Sequence, residues 1–252
     1  MNSCLHDIKM LYAFEEMMIQ SIYDQMWQRF ELASTHNDYE LDFHLLDVAN
    51  DTRRGITALA YLNQGNSVIL DEITNFQKAV REIEPNQYYH PLDELHLTVL
   101  SIISCVPDFD LNEINIQVYA DTFLSVLNTI QPIEIHYRGV SASPNCIVLQ
   151  GFPTSNSLEQ FRHKLRTQLS DAGLRVTFDS RYKLVTAHSS LIRFKNPINN
   201  DQQLLELCQQ YRNYDFGSIV LNDFELVFNN WYQNLAVTKS LANGSVTDQP
   251  RV

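Results

Sequence analysis

From Arg54 onward the apolar residues switch repeatedly between two periods, and this alternation limits the possible folds more than any other feature of the chain. Period two buries one face of a strand, whereas period 3.6 buries one stripe of a helix. Residues 55–62 read as a strand, closed by the polar turn Asn63-Gln64-Gly65-Asn66. Residues 67–83 read as a helix stopped near Pro85, 95–103 as a β-rich run, and 111–130 as a helix ended before Pro132. Residues 133–140 and 145–152 look like paired strands across a Ser-Pro turn, followed by a helix over 157–172 with Gly173 just past its end. A strand over 184–194, a helix over 200–212 and a terminal hairpin (218–228 and 233–240, around Asn229-Asn230) complete the pattern, with a disordered tail expected from Leu241. Helices and strands thus alternate in two rough halves, each with one strand–helix–strand unit. That is an α+β arrangement of sheets flanked by helices.

Residues 5–32 stand apart as a single helix. Leu11, Phe14, Met17, Met18, Ile22 and Trp27 recur at three-to-four spacing, and the Met-rich stripe is expected to pack against the core. A polar stretch, 34–39, links this helix to the rest. Residues 1–50 carry nine acids against two bases, so more than half of the net charge of −12 sits there. Between residues 150 and 195 the balance reverses, with eight bases facing three acids. An overall acidic chain argues against a broad nucleic-acid-coating surface and long duplex partners, but not against a small local phosphate site.

The four cysteines are scattered without C-x-x-C spacing, and no His/Asp/Glu cluster has ligand spacing, so no metal or cofactor is expected. The N-terminus lacks the basic and apolar regions of a signal peptide, and no apolar run approaches the ~20 residues of a membrane span. A soluble, reducing, cytoplasmic setting without membrane partners is the expectation. Oligomeric state is not legible.

Residues 95–100 read Leu-His-Leu-Thr-Val-Leu and residues 187–192 read Ala-His-Ser-Ser-Leu-Ile. Both are His-x-Thr/Ser-aliphatic inside an expected strand, one per half. Strand alternation puts His96 and Thr98 on one face, and likewise His188 and Ser190. With eight histidines and 31 Ser/Thr among 252 residues, one such tripeptide arises by chance, so a single copy says nothing. Two copies in corresponding strands say more, although two half-buried strand histidines satisfied by hydroxyls remain the structural alternative.

These two motifs, about ninety residues apart, together with Gln87-Tyr88-Tyr89-His90-Pro91 ahead of the first, resemble the 2H phosphoesterase superfamily of LigT-like (2′-5′ RNA ligase-like) and cyclic phosphodiesterase proteins. The resemblance covers roughly residues 54–240. Ser190 departs from it, standing where Thr is usual, and the first fifty residues do not match the compact family core. The resemblance implies a bilobal fold with two pseudo-symmetric sheet-plus-helix lobes around a central cleft. It divides the chain into an acidic helical extension (1–50), a phosphoesterase-like domain (51–240) and a tail (241–252).

It further implies a metal-independent phosphodiesterase acting on 2′,3′-cyclic phosphates or 2′,5′-linked RNA ends. RNA ends, short oligonucleotides or cyclic nucleotides are then the substrates. An imidazole with a pKa near 6.5 can take or give a proton near neutrality. The expected roles are His188 activating water, His96 protonating the departing oxygen, and the Thr98 and Ser190 hydroxyls binding the non-bridging oxygens. Arg193, five residues after His188 at a spacing the resemblance favours, is a phosphate candidate. Strict alternation places it on the far face unless a bulge intervenes. Lys183 and Arg181 are further phosphate candidates, and Tyr88, Tyr89 and His90 either stack on a base or pack in the core. Hydrolysis of a cyclic (oligo)nucleotide messenger, a catalytically silent nucleotide-binding module, and a non-enzymatic α+β interaction protein are the competing readings.

Overall fold

The computed structural model describes residues 2–64, 67–178 and 183–247, and it is α+β with two antiparallel sheets. The first sheet has the order β3 (His96–Val106), β1 (Arg54–Tyr61), β8 (Asp223–Asn229), β9 (Lys239–Ser245). The second has the order β2 (Tyr88–Tyr89), β6 (Ser189–Arg193), β5 (Cys146–Pro153), β4 (Ile133–Ser143), β7 (Asp215–Leu221). Helices α1 (Asn2–His36), α2 (Ser67–Ile83), α3 (Ile116–Leu127), α4 (Ser157–Asp171) and α5 (Asp201–Gln210) flank them. One continuous buried cluster joins residues of both sheets and of all five helices. The sheets approach each other where β3 runs beside β6.

The limits of α2 and α4 follow the sequence periodicity closely. Gly173 ends α4 with φ +64°, the left-handed conformation that glycine adopts without steric cost. Residues 111–130 do not form one helix. Asp110 caps a single turn, Leu111–Glu113, before α3 begins at Ile116.

The two halves are interleaved. Residues 218–228 are not one strand: the chain leaves the second sheet at Leu221 and enters the first at Asp223, so β7 and β8 lie in different sheets. The terminal hairpin is β8 with β9, which inserts β8 beside β1. Leu241 to Ser245 belong to β9 and are not a loose tail. The helices also cross over. α2, from the first half, packs on β6, β7 and α5, whereas α4, from the second half, packs on β3.

The helix α1 is longer than its buried contact. Tyr23, Trp27, Phe30 and Ala33 form the buried stripe against β4, β5 and α5. The Met-rich stripe expected in the core lies outside it: Phe14, Met17 and Met18 are 57%, 61% and 54% exposed. The packed C-terminal half is well anchored. The Tyr23 hydroxyl donates to the Gly151 carbonyl and accepts from its N–H, at 3.2 and 3.1 Å. Gly151 has a steric reason to be glycine, since a Cβ there would collide with the Ala187 carbonyl just before the second motif.

Candidate active site

The motif strands owe their active geometry to bulges. On β3, Thr98 pairs with Leu59 and Leu100 with Ala58, which leaves Val99 as an extra residue. On β6, Ser190 pairs with Val148 and Ile192 with Ile147, which leaves Leu191 extra. Both bulges fall three residues after the motif histidine. A bulge offsets the two-residue alternation by one. Ser101 on β3 and Arg193 on β6, each five residues after its histidine, therefore join the face carrying the motif side chains.

His96, Thr98, His188, Ser190 and Arg193 all line one cavity of about 190 Å³. Each histidine is tethered through Nδ1 to the residue two places before it. His96 Nδ1 lies 2.8 Å from the Glu94 carbonyl oxygen, to which it donates, and His188 Nδ1 lies 2.8 Å from Thr186 Oγ1. Nε2 is the ring nitrogen left for the cleft in both. Both pKa values lie at about 4: burial is the main cause, the Arg193 cation adds to the lowering of both and Arg162 to that of His188, while the Glu94 hydrogen bond opposes it for His96. Two neutral imidazoles therefore face the cavity at pH 7.

Arg193 lies over the rings of Trp231 and Tyr232, at 6.0 and 5.9 Å from their centroids. Its buried Nε has no hydrogen-bond partner among the described residues. Thr57, Ser101, Ser104 and Thr177 add hydroxyls to the wall, while Phe178, Leu184 and Trp231 add apolar surface. His90 lines the same cavity, and both of its buried ring nitrogens lack a hydrogen-bond partner among the described residues. Burial, the Arg193 cation and His96 hold His90 well below its ordinary pKa, so it too is neutral.

Two expected contacts lie elsewhere. Tyr89 faces away from the cavity, with its hydroxyl on the Glu84 carbonyl at 2.8 Å and Arg81 stacked 4.3 Å from its centroid. Alternation along β2 is the reason, since it sends Tyr88 and His90 to the opposite side. Lys183 reaches outward to Glu159 at 3.4 Å. Arg181 lies outside the described residues. Other bases of the 150–195 segment are also engaged away from the cleft, with Arg175 on Glu113 and Lys164 on Thr129. Sequence reasoning missed Trp231 and Gln233 because the segment reads as a hairpin turn, and Ser101 and Ser104 because bulges are invisible to strict alternation. Among the described residues no group of three or more His, Cys, Asp or Glu is placed to hold a metal ion, and no helix is long and apolar enough to cross a membrane.

The three neutral histidines make acid lability an expected property. Their folded pKa values lie below the ordinary 6.5, so between pH 6.5 and about 4 the unfolded chain binds more protons. Their contribution to stability is complete above pH 6.5 and is lost as pH falls through that window. Melting temperatures should drop from pH 7 to 4.5, and the double variant H96N/H188N should flatten the slope. An unchanged slope contradicts the assignment. His96 and His188 should titrate by NMR near pH 4 in the free protein, and a midpoint of 6 or above for either contradicts it independently.

No protein-family model matches the chain, and no curated protein matches it. Solved structures do. TT0787 of Thermus thermophilus superposes with a TM-score of 0.52 at 16% identity, covering 77% of this chain and 97% of its own. Escherichia coli LigT complexed with 3′-AMP gives 0.51 at 13% identity, covering 78% and 99%. A conserved protein of unknown function from Agrobacterium tumefaciens, ATU0111, gives 0.51 at 17%, covering 84% and 96%. The fold is therefore that of the LigT-like proteins, spanned over nearly their whole length.

Proposed function

We propose that the chain is a phosphodiesterase that opens 2′,3′-cyclic phosphates or cleaves 2′,5′-linked RNA ends, using His96 and His188 as an acid–base pair. One observation carries the reading: both His-x-Thr/Ser pairs and Arg193, carried on or immediately beside strands of two sheets and from opposite halves of the chain, line one small cavity. LigT, with which the fold is shared, was solved with 3′-AMP, the kind of nucleotide such a ring opening yields. The cavity volume of 190 Å³ is below the ~300–1,000 Å³ of sites that enclose drug-sized ligands. It suits one phosphodiester with its nucleoside better than an enclosed cyclic dinucleotide.

In this scheme the phosphodiester anion enters beside Arg193, where its charge favours a protonated imidazole against burial and the Arg193 cation, so one proton is taken up on binding. His96 is the better proton holder, because the Glu94 carbonyl favours its charged form, whereas Arg162 disfavours a proton on His188. His188 Nε2 takes a proton from water as the water oxygen bonds to phosphorus. His96 Nε2 gives its proton to the departing ribose oxygen as the P–O bond breaks. Thr98 and Ser190 donate to the non-bridging oxygens, where charge accumulates.

The test is a substrate panel with and without EDTA: 2′,3′-cyclic mononucleotides, 2′,5′- and 3′,5′-linked oligonucleotides and cyclic dinucleotides. Chelator-resistant cleavage of the first two is the expected result. Nucleotide binding without cleavage of any member supports the silent-module reading instead, and preferred cleavage of cyclic dinucleotides supports the messenger reading.

A further inference from the structure

A bulge in an antiparallel pair leaves one residue outside the ladder, and its buried polar groups need donors from elsewhere. On β3 the donor is Arg162 of α4, 1% exposed. Its Nε donates to the Val99 carbonyl at 2.9 Å, and its Nη2 to the carbonyls of Thr98 at 3.0 Å and Thr186 at 2.8 Å. On β6 the donor is Gln77 of α2, also buried. Its Nε2 donates to the Leu191 and His90 carbonyls, both at 3.0 Å, and the His90 N–H adds a 3.0 Å bond to Leu191. Neither side chain lines the cavity. Both sit behind a motif strand on a helix that the chain crossing brings from the opposite half.

We propose that Arg162 and Gln77 are positioning residues, a crossed pair of clamps in which each half's helix locks the bulge of the other half's motif strand and thereby sets the cleft. The roles divide. Gln77 holds Leu191, the residue whose offset turns Arg193 into the cavity, so it governs phosphate affinity. Arg162 ties the backbone of Thr98 and Val99 to that of Thr186, whose hydroxyl holds His188. It governs the relative placement of the two histidines and hence turnover. The turnover half of this inference rests on the phosphodiesterase reading, whereas the binding half does not.

The experiment compares wild type, Gln77→Met, Arg162→Lys and Arg162→Met by three readouts: kcat and KM on a 2′,3′-cyclic nucleotide, inorganic phosphate affinity, and histidine titrations in the free protein. Arg162→Lys keeps a charged donor where Arg162→Met risks loss of the fold. Misplacement of catalytic groups by ~1 Å costs up to about 100-fold. Gln77→Met should weaken phosphate binding about 10-fold or more and raise the His96 and His188 midpoints, as Arg193 leaves them. Arg162→Lys should lower kcat about 10- to 100-fold with KM within about threefold. Folded variants with phosphate affinity, kcat and titrations all within twofold of wild type overturn the proposal. Equal losses in kcat and affinity in both variants also overturn the division of roles. If wild-type protein binds phosphate but cleaves nothing, the phosphodiesterase reading fails, and phosphate affinity with the titrations still decides the clamp.

Discussion

Replacing either His96 or His188 with alanine should lower kcat/KM on the preferred cyclic phosphate by about 10²–10⁴-fold, the range typical of general acid–base catalysis. The two imidazoles line one cavity and are close enough for His96 to influence the titration of His188. In the proposed scheme they share one proton inventory, so the double variant should be little worse than the worse single one. Because both are neutral in the free protein, log kcat/KM should fall as pH rises above about 5, reflecting the proton taken up with substrate. The pH–rate profile of a steady-state assay checks this directly. Activity within a few-fold of wild type in either single variant ends the acid–base scheme.

The second large effect belongs to Arg193. Its guanidinium Nε is buried without a hydrogen-bond partner among the described residues, beside three neutral histidines. A charge-assisted hydrogen bond to a bound anion in such a site contributes about 1.5–3 kcal/mol, so Arg193→Met should weaken phosphate binding roughly 10- to 100-fold. The sign of a second effect follows from the same charge. Removing the cation that depresses all three histidines should raise their titration midpoints toward 6.5. Arg193→Lys should restore little, because a point charge replaces the planar group lying over Trp231 and Tyr232. Wild-type phosphate affinity in Arg193→Met removes Arg193 from the site. Calorimetry for affinity and NMR for titration separate the two effects.

Much of this site is legible in the sequence because its signals are local. The limits of α2 and α4, the shared face of His96 with Thr98 and of His188 with Ser190, and the need for a bulge to bring Arg193 inward depend on nearest neighbours along one strand or helix. What escapes is set by partners far away in sequence. Whether Val99 and Leu191 bulge depends on register against β1 and β5. The division at Asn222 depends on two different sheets competing for adjacent residues. Phe14, Met17 and Met18 have the spacing of a buried stripe but extend past the surface that buries Tyr23 and Trp27. Local basicity misleads for a related reason. It marks residues 150–195 as a phosphate-binding segment, yet Arg175, Lys183 and Arg162 are turned to carboxylates and carbonyls, leaving the charge on the cavity wall to Arg193 among the described residues.

The insertion of β8 between β1 and β9 also sets a timetable for biosynthesis. Strand β1, buried along six consecutive residues, is made early, but the neighbour that covers its second edge is not complete until Asn229. Until then a nascent chain carries an apolar strand with one side open, the situation in which edge-to-edge association competes with folding. A ribosome-bound intermediate ending before β8 already contains every motif residue of the cleft, but lacks the strand that finishes the sheet supporting His96. Assembly of the cleft is therefore a late event in the life of the chain, tied to its last quarter although its first histidine lies in the second.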